Sequence, residues 1–108
     1  MSVEIEVKGE TLTAKLIGEL DHHNAAGIRE QIDNSAELNM PSLLILDFEK
    51  ISFMDSSGIG LVLGRYRNLS KRGAKMKVTG VSPQIYKVMR LSGIERLMSL
   101  EMLNQEED

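Results

Sequence analysis

Val3, Ile5 and Val7 alternate with Glu4, Glu6 and Lys8, the two-residue period of a strand that buries one face. Gly9 and Glu10 form a turn signal, and Leu12, Ala14 and Leu16 resume the alternation, so the N-terminus reads as a β-hairpin. The loop "GELDHHN" (residues 18–24) ends on Asn24, whose side-chain oxygen suits an N-cap by accepting from a free first-turn N–H. From Asn24 to about Leu38, the residues Ala25, Ile28, Ile32 and Ala36 recur at helical spacing. Pro41 prevents that helix from continuing. The run "LLILDF" (residues 43–48) is apolar without alternation, as expected of a central strand covered on both faces.

Farther on, Gly73 suits a helix C′ position, and Met76 and Val78 mark another strand. Ser82 is placed as a cap with Pro83 at the first helical position, and Gly93 closes the helix that follows. A short segment near residues 97–100 suits an edge strand, and the tail "NQEED" reads as solvated. The order is β-β-α-β-α-β-α with a possible final β. Such alternation implies right-handed crossovers and an α/β fold built on a mixed sheet. With 108 residues and no repeat or linker, residues 1–108 are expected to form a single domain with one core.

The helix after "FMDSS" (residues 53–57) has an unusual pattern. With Ile59 at zero on a helical wheel, Ile59, Val62, Leu63, Tyr66 and Leu69 gather on one side, the side expected to meet the sheet. Gly60, Leu61, Gly64, Arg65, Asn68 and Lys71 fall on the other. Each mid-helix glycine on an exposed surface costs about 0.8–1 kcal/mol relative to alanine. Glycines on an outer face let another backbone approach. Leu61 as apolar anchor and Arg65 as a forked donor would then complete a docking face. The same pattern also fits a lone exposed leucine, with glycines that admit a neighbouring loop.

Composition narrows the chemistry. Aromatics make up 4% of the chain with no Trp, so the core is expected to be aliphatic, with seven Met as filler. The absence of Cys removes thiol nucleophiles and thiolate metal sites, and it fits a reducing cytoplasm. A net charge of -3 argues against nucleic acid as the main partner. No run approaches the roughly 18 apolar residues of a membrane span, and the N-terminus lacks a signal-peptide core.

The serines in Asp55-Ser56-Ser57 admit several uses. The nucleophile elbow G-x-S-x-G is absent, and only His22 and His23 are available as a base. "GIGLVLG" (residues 58–64) misses the dinucleotide fingerprint, and no phosphate-loop motif exists. Two adjacent histidines point apart in most backbones and do not make a metal pair, so no metal site is expected. Capping of the helix by Asp55 or a serine fits well. A helix N-terminus also tolerates a phosphoserine, because its free N–H groups and dipole favour negative charge.

"FMDSSGIGLVLGRY" (residues 53–66), preceded by "GELDHH" and followed by "GVSPQIYKVMRLSGI" (residues 80–94), resembles the STAS-domain anti-sigma factor antagonists. Within that family it is most similar to the sporulation branch, which acts on anti-sigma F factors. The resemblance spans nearly the whole chain. It implies a STAS fold with helices mainly on one face of the sheet, and a regulatory module in the cytoplasm rather than an enzyme. Its expected partner is an anti-sigma factor that is also a serine kinase, supplies the ATP and phosphorylates Ser56. A PP2C-type phosphatase is expected to reverse the step. Asp55, Ser57 and Gly58 match the positions flanking the phosphoacceptor, and Asp21 matches the acidic position of the neighbouring loop. The alternative within the family is a scaffold or sensor module that is never phosphorylated. The family's C-terminal helix is expected to be shortened here, with "NQEED" in its place.

Overall fold

The computed structural model describes residues 1–103, so expectations for "NQEED" lie outside the described residues. Five strands form one sheet in the order β1-β2-β3-β4-β5. They are β1 (Ser2–Lys8), β2 (Thr11–Leu20), β3 (Leu43–Met54), β4 (Lys75–Val81) and β5 (Ser99–Met102). The helices are α1 (Ala25–Asn39), α2 (Ser56–Ser70) and α3 (Pro83–Leu91), with a 3₁₀ turn at Ile94–Arg96. The hairpin β1–β2 is antiparallel, and every other neighbouring pair is parallel. The expected order therefore holds, including the last strand, which begins two residues later than its predicted start.

One face of the sheet carries the core. Leu12, Ala14 and Leu16 of β2, Leu44, Leu46 and Phe48 of β3, and Met76 and Val78 of β4 are buried there. Ile28 and Ile32 of α1, Leu61 and Val62 of α2, and Met89 of α3 join the same cluster, so all three helices cover this face. The opposite face bears Thr13, Ile45, Lys77 and Thr79 and is only half-buried. The expectation that residues 43–48 are covered on both faces is therefore corrected. Their alternation is real but masked, because Leu43 and Ile45 occupy the open side, where aliphatic side chains pack against cross-strand neighbours.

The cap of α1 also differs. Asn24 makes no side-chain cap; its Nδ2 donates to Glu19 O instead. Asp21 Oδ1 accepts from His23 N at 3.0 Å and Asn24 N at 3.1 Å, so the carboxylate satisfies the loop entering the helix. Ser82 caps α3 as expected, accepting from Ile85 N, with Pro83 opening the helix.

The sheet is irregular in its interior, between β2 and β3. Twelve residues of β3 pair along ten of β2, with register shifts between Lys15 and Ile17 and between Gly18 and Glu19. Gly80 accommodates the first irregularity from the β4 side. It has φ +68°, and a Cβ there would lie 2.9 Å from Asp47 Oδ1 and Glu49 N. The extra residues of β3 bring Leu20 beside Met54, so the loops leaving β2 and β3 emerge side by side.

Candidate functional site

Asp21 and Asp55 are the first residues beyond those two strand ends. Asp55 N donates to Leu20 O, and Asp55 has extended backbone angles before α2 begins. Its Oδ1 accepts from Ser57 N at 2.8 Å, and its Oδ2 accepts from His22 N at 3.2 Å. One carboxylate thus caps α2 and fastens the Asp21 loop to it. His22 Nδ1 lies 3.7 Å from Asp55 Oδ2. The rings of His22 and His23 lie 4.0 Å apart between centroids, so the two side chains do not point apart as expected.

The Ser57 N–H is the largest influence holding the Asp55 carboxyl below its ordinary value, with the His22 N–H adding to it. A lowered native pKa means that the carboxylate stabilises the fold above the ordinary aspartate range. That stabilisation is lost as the pH falls through the lowered value. Asp55→Ala is therefore expected to lower the urea midpoint at pH 7, and its gap from the parent protein should narrow on acidification. A gap independent of pH would show that the carboxylate's charge is not what holds the loop.

Ser56 is the first residue of α2 and is exposed, whereas Ser57 is half-buried with its N–H committed to Asp55. Among the described residues, no hydrogen bond joins either serine hydroxyl to His22 or His23. Gly58 is buried against Leu20 and Met54. A Cβ there would collide with the Met54 side chain, so a small residue lets α2 start close to the strand ends. The expected motif residues Asp21, Asp55, Ser56, Ser57 and Gly58 therefore converge on one edge of the sheet.

Leu61 and Arg65 do not sit where their spacing predicted. Leu61 is 4% exposed and Arg65 5% exposed, so neither is an outer docking residue. The buried side of α2 consists of Gly58, Leu61, Val62, Arg65 and Leu69, rotated roughly a quarter turn from the predicted side. Ile59, Leu63 and Tyr66 are only half-buried. The wheel treats the sheet as the sole neighbour, but α1 packs along the flank of α2 and covers Leu61 and Arg65. Arg65 Nε stands 2.7 Å from Asp33 Oδ1 on α1, and its Nη1 donates to Leu61 O at 3.3 Å. Burial pushes the Arg65 guanidinium below its usual range, while Asp33 opposes the shift and Arg29 adds to it. Arg65 ties two helices together.

Gly60 and Gly64 do face open space, and a Cβ on either would meet no atom within 4 Å. They line a groove of about 450 Å³ between α1 and α2, with Ala25, Ala26 and Arg29 on one wall and Ser57 at the upper end. The wheel missed Arg29 because it was drawn for α2 alone. It also missed Phe53, which is 52% exposed two residues before Asp55. An apolar residue at a strand's end gives no signal of exposure when the neighbouring strand is irregular.

The chain is similar to known proteins. The sequence matches the STAS domain family over residues 2–108. The anti-sigma F factor antagonist of Paenibacillus polymyxa is 33% identical over 100 residues, covering 93% of this chain and 86% of the relative. The solved structure of the anti-sigma factor antagonist SpoIIAA in its unphosphorylated form superposes with a TM-score of 0.74 at 35% identity, covering 96% of this chain and 90% of that one. The Bacillus cell fate determinant SpoIIAA in its phosphorylated form gives 0.73 at 39% identity, covering 92% and 90%. Over residues 2–108 the chain belongs to the STAS domain family, and it groups there with the anti-sigma factor antagonists.

Proposed function

We propose that this chain is an anti-sigma factor antagonist whose binding is switched by phosphorylation of Ser56. The unmodified chain binds an anti-sigma factor with serine kinase activity and so frees a sigma factor. The kinase uses its own ATP to modify Ser56, and the phosphorylated chain dissociates. A PP2C-type phosphatase resets it. The cycle runs in the cytoplasm; among the described residues no helix is long and apolar enough to cross a membrane.

The observation that carries this reading is the exposed hydroxyl of Ser56 at the first position of a capped helix, beside a groove that exposes Gly60 and Gly64. Relatives solved in both unphosphorylated and phosphorylated forms support it. Intact-mass analysis with an anti-sigma kinase and ATP is expected to show one added phosphoryl group, absent in Ser56→Ala. Undiminished incorporation in that variant would reassign the acceptor to Ser57 or elsewhere.

A further inference from the structure

The chain carries a net charge of -3, yet the ionisable residues lining the α1–α2 groove are all basic: His22, Arg29, Arg65 and Arg67. Among the described residues, no carboxylate lines that part of the cleft. Arg65 is 5% exposed and is ion-paired, its Nε standing 2.7 Å from Asp33 Oδ1. Arg29 is near enough to disfavour the charge on Arg65, which Asp33 offsets. With Arg65 paired to Asp33 and His22 lying against Asp55, the exposed positive charge of the lining is that of Arg29 and Arg67. The apolar part of the lining is small: Ala25, Ala26, Gly60 and Gly64 leave room for a backbone to approach.

We infer that this groove receives an acidic segment of the anti-sigma partner, with its carboxylates set against Arg29 and Arg67 and its backbone laid over Gly60 and Gly64. The inference rests on the antagonist reading and adds the chemistry of the partner's contact. Arg29 and Arg67 are exposed at the rim, where charges act chiefly on encounter rate and salt dependence. Extended chain advances about 3.3 Å per residue, so two residues of a bound segment cover the rise of about 6 Å between glycines four apart on the helix.

The test uses the full chain labelled with nitrogen-15 and a dodecapeptide of alternating Glu and Gly, with a Lys-Gly dodecapeptide and free ATP as comparators. The acidic peptide is expected to shift the amides of Ala26, Gly60 and Gly64 saturably, and the basic peptide is not. The Arg29→Ala/Arg67→Ala double variant, checked for an unchanged melting temperature, should lose roughly tenfold in peptide affinity and show a flatter salt dependence. It should lose about as much against the anti-sigma partner. Undiminished binding in the double variant overturns the inference, as does ATP moving the same amides at lower concentration than the peptide. A partner that binds parent and double variant alike removes the groove from the interface and leaves the antagonist reading standing. A parent chain that binds no anti-sigma factor removes that reading, and the peptide titration still decides the groove.

Discussion

Leu61→Lys is expected to unfold the domain. Leu61 is 4% exposed and belongs to the core cluster beneath α1, although its glycine neighbours on either side face open space. Truncating a buried leucine costs about 2–5 kcal/mol. An ammonium group in the same place adds a desolvation penalty of roughly several kcal/mol, unless it stays neutral at similar cost. Together these terms rival the whole stability of a small domain, about 5–15 kcal/mol. Circular dichroism and urea titration are expected to show lost structure at neutral pH. Gly60→Ala should do the opposite, gaining about 0.8–1 kcal/mol, because its new Cβ meets no atom and alanine favours helix. A folded Leu61→Lys protein with the parent urea midpoint would mean that α1 does not cover this flank.

The second large effect concerns binding rather than folding. Phosphorylation of Ser56 adds about -1.5 to -2 charges. Within the chain this charge lies at the start of α2, where the helix dipole favours it by about 0.3–1 kcal/mol while the Asp55 carboxylate, which already holds the Ser57 N–H, opposes it. Across an interface the same charge is stripped of water, and a charge left without a partner there costs about 2–5 kcal/mol. That corresponds to a loss of roughly 30-fold to several thousand-fold in affinity. Ser56→Asp, with a single charge, should sit at the lower end. Calorimetry against the anti-sigma partner is expected to show this loss while the melting temperature stays within a few degrees of the parent. Equal affinity for the phosphorylated and bare forms would defeat the switch. A comparable drop in melting temperature would instead make Ser56 a structural residue.

The two predictions separate roles that the local pattern of α2 had merged. Leu61 and Ser56 lie five positions apart on one helix, and one belongs to the core while the other is at the surface. The site edge was legible in the sequence. Asp55 and Ser82 are local caps whose partners lie two and three residues away, and helix starts of this kind are written in neighbouring side chains. The order of elements along the chain was legible for the same reason, since periods of two and 3.6 are local properties of the chain.

What the tertiary structure decided involves a second neighbour in every case. The buried side of α2 depends on where α1 lies, and Asp33 reaches Arg65 across 32 positions of sequence. Asp21, rather than Asn24, serves the α1 entry because its loop is drawn against Asp55 through the His22 N–H. The juxtaposition of Asp21 and Asp55 itself depends on the two extra residues that β3 inserts opposite β2. Hydrophobic periodicity states that a helix has a face to bury; it carries no information on how many surfaces will compete for that face. Burial and salt linkage are properties of pairs distant in sequence, and only packing brings those pairs together.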